Sequence, residues 1–272
     1  MASWATTDST ARHTMLQRLR AFVFPAVLLG MLEAYARIIA PGSDALAPPS
    51  KAVLAFYKAL RSSGDDSVLQ ATAFTLGSAG MGLLIGASLG LVLGIVLGLS
   101  RRAAAMGSLT IEVLRPVPSV ALIPLAMLVF GFGYRMEISV VAFATFWPLL
   151  ILTQAAVMQV EPRLLEVARA LGLNPWARTT KIVFPAMLPR LFVALRLGVA
   201  IALVVAVTVE IAANPSGMGY ALMIAQQSMA PELMLAWLFW IGLVGYAINT
   251  VTLRVQQALA MRMGGSAEVP AP

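Results

Sequence analysis

This sequence predicts an all-α integral membrane fold with six spans, on three observations. Of its 272 residues, 60% are hydrophobic and 11% charged, with a mean hydropathy of +0.86, so too little charge remains to cover a soluble domain. Apolar runs of about twenty residues, the length that crosses ~30 Å of hydrocarbon, recur near 21–40, 73–99, 113–131, 138–158, 191–213 and 233–253. The basic residues fall in alternate connections. Arg12, Arg18 and Arg20 precede the first run, and Arg101 and Arg102 follow the second. Arg163, Arg169, Arg178, Lys181 and Arg190 fill the segment after the fourth, and Arg254 and Arg262 follow the last. The short connections on the other side offer only Arg135 or no basic residue. In the longer 41–72 loop Lys51, Lys58 and Arg61 are offset by Asp44, Asp65 and Asp66. The positive-inside rule then places both termini in the cytoplasm, which agrees with an even number of crossings.

In chain order, residues 1–20 read as a polar cytoplasmic tail and 21–40 as the first transmembrane helix. That run is long for a signal peptide and carries Glu33 and Arg37, so it reads as a retained anchor. Residues 41–68 form an external loop with a short amphipathic helix near 50–61, started by Pro48, Pro49 and Ser50. The membrane core covers 69–255, and 256–272 is a cytoplasmic tail ending in the flexible GGSAEVPAP. No internal repeat is visible.

The second span carries Gly82, Gly86, Gly90, Gly94 and Gly98, one every fourth residue. Missing side chains let a neighbouring backbone approach, which is how helices gain dispersion contact in lipid. Four residues overshoot a turn, so the groove drifts around the helix and suits one that crosses several neighbours. In the third span Pro116, Pro118 and Pro124 each remove an amide donor, and irregular backbone at membrane depth tends to line a cavity. Pro118, Pro124, Met127, Trp147 and Glu210 are accordingly the candidates for a translocation pathway; kinks that only shape packing are the alternative for each proline. Glu112 and Arg115 stand three apart and can neutralise each other. Glu210 has no local partner: it either hydrogen-bonds to loop backbone near Asn214 or faces the cavity. After it, Asn214, Pro215, Ser216, Gly217 and Gly219 make a tight turn, followed by a short helix over 220–229 that serves as an external gate or a connector.

The most informative stretch is EPRLLEVARALGLNPWARTTKIVFPAMLPR, residues 161–190, polar and basic between apolar blocks. It reads as two short helices. Leu164, Leu165, Ala168 and Leu171 form the apolar stripe of the first, with Glu166 and Arg169 off it, and Gly172 closes it. Asn174 caps the second, Pro175 takes its first position, and Arg178 and Lys181 ride on it. Such a pair on one side of a bilayer suits docking of a soluble partner.

Glu166, Ala168, Gly172, Ile182 and Pro185 also fall at the intervals of the EAA loop, E-A-A-x3-G-x9-I-x-L-P, of permease subunits of ATP-binding-cassette importers. Val167 replaces the middle alanine and Phe184 the leucine before the proline, both apolar. With the run from Leu114 to Gly133 and with Phe146, Trp147 and Pro148, the chain resembles the aliphatic sulfonate, taurine and nitrate branch of that family, which has relatives for thiamin-precursor pyrimidines. The resemblance covers most of 69–255. It implies a type I ABC importer permease fold in a bacterial inner membrane and a permease homodimer. It further implies two copies of an ATPase subunit below and a periplasmic or lipid-anchored substrate-binding protein above. Glu166, Ala168, Arg169, Gly172, Ile182 and Pro185 would be the ATPase-coupling residues.

Several classes are excluded. None of Lys51, Lys58 and Lys181 follows the glycine pattern of a phosphate-binding loop, so ATP hydrolysis must come from a partner. With no cysteine and His13 as the one histidine, no metal site or cofactor is expected. Ser119 lacks a nucleophile-elbow context, and no aromatic-interleaved basic surface suits nucleic acid. A secondary transporter would instead show inverted repeats or intramembrane acid–base pairs.

Overall fold

The computed structural model describes residues 7–39, 47–61 and 67–262, side chains before Val23 and those of Ala260 and Arg262 excepted. The first six residues, parts of the 41–68 loop and the C-terminal GGSAEVPAP lie outside the described residues. Every element is helical: α1 Thr7–Ile38, α2 Pro49–Arg61, α3 Val68–Leu99, α4 Arg101–Leu114, a 3-10 turn Ser119–Leu122, α5 Ile123–Phe130 and α6 Tyr134–Met158. There follow α7 Pro162–Ala170, α8 Pro175–Arg178, a π-helical segment Thr179–Val183, α9 Phe184–Ala212, α10 Met218–Gln227 and α11 Pro231–Arg262. Four helices among the described residues are long and apolar enough to cross a membrane: α3, α6, the continuous Pro175–Ala212, and Pro231–Leu259 within α11.

Two boundaries differ from the sequence expectation. The tail 1–20 and the span 21–40 are not separate, because one helix runs from Thr7 to Ile38. The span expected at 113–131 is broken. Helix α4 ends at Leu114, and the following helical pair departs from it by 82°. Pro116 and Pro118 cannot donate a helical hydrogen bond, so the chain turns there. What remains of the apolar run, Ser119–Phe130, is too short to cross alone, and the bent pair counts as at most a fifth span. Glu112 and Arg115, exposed at this break, form no ion pair with each other.

The chain divides into two compact units, residues 1–63 with 222–239, and 64–221 with 240–272. In the first, Glu33 of α1 ties down the start of α2. Its carboxylate accepts from the Ser50 amide at 3.0 Å and the Ser50 hydroxyl at 2.7 Å, and Arg37 donates to it from one helical turn along. The two charges that marked the run as a retained anchor thus hold the start of a neighbouring helix.

In the second unit α3, α6 and α9 pack together, with α5 on α6. The glycine series governs this packing. A Cβ added at Gly86 would lie 2.2 Å from Thr145 Oγ1 and 2.4 Å from the Ala142 carbonyl; at Gly90, 2.8 Å from the Phe146 carbonyl; at Gly94, 2.7 Å from that of Leu150. Gly82 and Gly98 meet Val141 and Val157 at 2.6 Å. All five therefore face α6 alone, which corrects the expectation of several neighbours. Both helices step in fours along the contact and run parallel. A four-residue period of small residues keeps two closely packed helices in touch over several turns. Around the pair, Leu149 and Ala194 with Ala87, and Ala79 and Val141 with Ala202 and Ala206, fill the three-helix core.

Gly90→Leu is expected to destabilise the chain by at least ~1–3 kcal/mol, the range for overpacking. Gly80→Ala, where a Cβ meets nothing within 4 Å, should be tolerated. Thermal unfolding in detergent checks both; equal behaviour of the two variants would refute the close-approach account.

Candidate functional site

The 161–190 segment is an elbow joining α6 to the long helix that follows. Pro162 occupies the first position of α7, where a missing amide costs nothing. Ala168 is fully buried, and Leu165 packs against a cluster of Ala156, Val157, Val160, Val183, Met187 and Leu191. The helix ends in a Schellman motif: the Leu173 amide donates to the Ala168 carbonyl and the Gly172 amide to that of Arg169, both at 3.0 Å. Gly172 sits at φ +63°, the left-handed conformation this closure requires. Asn174 Oδ1 then accepts from the Ala177 amide at 2.7 Å and caps α8.

The second helix is not separate. From Pro175 the chain stays helical through the π segment into α9, 38 residues to Ala212. The π segment has a local cause. Pro185 supplies no amide to the turn before it and its ring crowds the carbonyl four residues back, so the ladder widens over Thr179–Val183. Ile182 is half-buried there and Pro185 exposed.

The rest of the elbow is open. Glu166 and Arg169 are exposed, as are Val167, Leu171 and, at 77%, Trp176. The expected stripe divides, since Leu165 and Ala168 face inward while Leu164 and Leu171 face out. Charged and large apolar side chains thus share one uncovered surface, held on a backbone fixed by two caps. Sequence reasoning missed Trp176 and Val167, which stand off the helical stripe.

At the opposite end of the three helices lies a buried polar cluster. Glu137 in the first turn of α6 and Glu210 near the end of α9 are both fully buried. Glu137 accepts from the Ser78 hydroxyl and from Asn214 Nδ2. Glu210 accepts from Thr75 Oγ1 at 2.6 Å and from the Gly219 amide at 2.8 Å, while Thr75 Oγ1 accepts from the Met218 amide at 3.0 Å. Every carboxyl oxygen thus has a donor and, among the described residues, no cation takes part, while Asn214 Oδ1 is buried without a partner. Of the two alternatives for Glu210, this is the bond to loop backbone. The turn after α9 fits around it. A Cβ at Gly217, itself at φ +93°, would lie 2.0 Å from Glu210 Oε1, and one at Gly219 would lie 2.3 Å from the Val207 carbonyl. Glu137, Thr75 and Ser78 were not singled out from sequence; an acid in the first turn of a span was the available signal.

The five pathway candidates do not share one surface. Pro118 and Pro124 are exposed, Met127 packs partly against Ile123, Ala126, Met136, Val140 and Val209, and Glu210 is enclosed as described. Trp147 is buried between Phe143 and Phe146, ring centroids 5.7 and 4.8 Å away, with its indole N–H unpartnered among the described residues.

Gly217→Ala should lower stability by ~1–3 kcal/mol, because the Glu210 carboxyl must leave its donors. The double change Gly217→Ala with Glu210→Ala should cost less than the sum of the single changes, since the methyl then enters vacated space. A double-mutant cycle on thermal midpoints measures this; strict additivity would show the turn does not depend on Glu210.

Residues 72–265 match the family of binding-protein-dependent transport system inner membrane components. SsuC of Bacillus subtilis strain 168, named for aliphatic sulfonates transport, is 30% identical over 84% of this chain and 81% of its own length. SsuC of Escherichia coli K12, named likewise, is 32% identical over 75% and 76%. A solved chain of the MetNI methionine ABC transporter, in an inward-facing conformation, shares the fold at TM-score 0.57 and 19% identity, covering 78% of this chain and 99% of that one. With its glycine-locked helices and capped elbow inside the matched region, the chain belongs to the family of binding-protein-dependent transport system inner membrane components, the multi-pass permeases of ABC importers.

Proposed function

We propose that this chain forms the translocation pathway for a small polar or anionic nutrient, an aliphatic sulfonate or taurine in the first place, and couples it to ATP hydrolysis on a separate subunit. The observation that carries this is the elbow: Glu166, Arg169, Val167, Leu171 and Trp176 uncovered on a turn fixed by Gly172 and Asn174. Charged groups give such a contact its register, and large apolar groups supply the area that leaves water. Glu166 and Arg169 take polar partners on the ATPase, while buried Ala168 and half-buried Ile182 support the elbow from beneath and Pro185 widens the turn before it. The substrate class is supported by the two relatives named for aliphatic sulfonates.

In this reading the elbow and both termini are cytoplasmic, which the distribution of Arg and Lys supports. Two copies of the chain meet two ATPase subunits, and a periplasmic or lipid-anchored binding protein delivers the solute to the opposite face in a bacterial inner membrane. Closure of the ATPases moves the elbows, and the two bundles rock between inward and outward openings. The chain itself is the transport component and hydrolyses nothing.

The test is reconstitution. The chain, its ATPase and its binding protein in proteoliposomes should take up ethanesulfonate or taurine only with ATP; ATP-independent uptake by the purified chain would overturn the reading. Gly172→Val puts a β-branched residue at φ +63°, which costs about 1–2 kcal/mol locally. That variant should insert in the membrane yet lose co-purification with the ATPase. Normal ATPase capture by it would show that the closure of α7 is irrelevant to docking.

A further inference from the structure

Arg196 on α9 plays no part in the elbow or the buried acid cluster. It is the only basic residue between Arg190 and Arg254. It lies 16 residues before Ala212, about 24 Å along the helix at 1.5 Å per residue. That is inside a hydrocarbon layer of ~30 Å, close to the elbow side. Its flanking residues, Val193 and Leu197, are apolar and exposed. A permanent charge at this depth is costly and normally has a task.

Its partner is neutral. Arg196 Nε donates to Asn249 Oδ1 of α11 at 3.0 Å, and among the described residues it forms no ion pair. An amide oxygen satisfies one N–H but leaves the charge uncompensated. It also leaves free the edge formed by the two terminal nitrogens, and that edge is the one a planar guanidinium offers to two oxygens of an anion. Asn249 thus holds the fork in orientation without neutralising it. A carboxylate at the same place would have done both.

We propose that the free edge of Arg196, oriented by Asn249, is an oxyanion site within the membrane, and that its ligand in turnover is the sulfonate group of the transported solute. This rests on the sulfonate reading above for the ligand's identity. The phosphate of a lipid headgroup offers the same chemistry, and the experiment separates the two.

The purified complex of the chain with its ATPase and binding protein, in dodecyl maltoside without added lipid, is treated with phenylglyoxal. Modification of Arg196 is followed by peptide mass spectrometry. Ethanesulfonate should slow modification of Arg196 about tenfold, roughly what one added charge-assisted pair supplies, and should leave the exposed Arg190 unaffected. Ethanesulfonamide, of the same shape without charge, should not protect. N249D should abolish the protection by placing a carboxylate on the guanidinium; if N249D does not assemble, N249A should weaken it by releasing the fork. Absence of protection in the unaltered complex overturns the proposal, and so does protection by phosphatidylglycerol but not by ethanesulfonate. Full protection in N249A sinks the orienting role. Uptake in proteoliposomes separates this from the function: protection without ethanesulfonate transport ends the sulfonate-permease reading and keeps the anion site, while transport without protection does the reverse.

Discussion

The parallel contact of α3 with α6 is the constraint from which the rest of the second unit follows. At Gly86, Gly90 and Gly94 there is no room for a Cβ against the facing backbone, and at Gly82 and Gly98 none against the side chains of Val141 and Val157. In lipid, where water does not drive helices together, this closeness is itself the attraction, because dispersion falls off steeply with separation. It also fixes register. A slide of α3 by one residue would bring Leu83, Ala87 or Leu91 against carbonyls that tolerate no side chain. The two ends of α6 are therefore positioned by the same contact. One end presents Glu137 to Ser78 and the acid cluster; the other delivers Val157 and Val160 to the platform on which α7 rests.

That positioning explains how two carboxyl groups are tolerated inside the bundle. A buried carboxyl is tolerated where donors meet both of its oxygens. Here four helical or turn segments converge to satisfy two side chains: α3 contributes Thr75 and Ser78, α6 and α9 the acids, and the turn Asn214 with the amides of Met218 and Gly219. The reciprocal demand falls on the turn, where Gly217 and Gly219 leave space for Glu210. The cluster therefore acts as a polar knot, which locks the direction in which the chain leaves α9.

What the sequence revealed follows from how local each signal is. The caps at Gly172 and Asn174 depend on residues within one turn, and both formed as read. The glycine series announced close packing, yet its partner is 60 residues away, and a period of four did not say that α6 alone would receive it. Pro116 and Pro118 marked irregular backbone, but not that the turn would sever the third span; the angle between the halves is set by packing of α5 on α6. Glu210 stood out as a charge without a neighbour, whereas Glu137 was masked by its place beside Arg135 at a span's edge. Arg196 was overlooked inside a strong apolar run because one charge hardly changes a window's hydropathy.

The continuity of Pro175–Ala212 gives the proposed coupling a physical route. A helix is stiff along its axis, so a displacement applied at α8 is carried through α9 past Arg196 to Glu210, about 57 Å from Pro175 to Ala212. The π segment at Thr179–Val183 lies between the point of application and the packed part of the helix. Its widened turn lets α8 tilt while the portion beyond Leu191, held against α3 and α6, stays in place. Under the proposed coupling, a displacement of the elbow would therefore reach the bundle through a turn that is wider than the helix on either side of it.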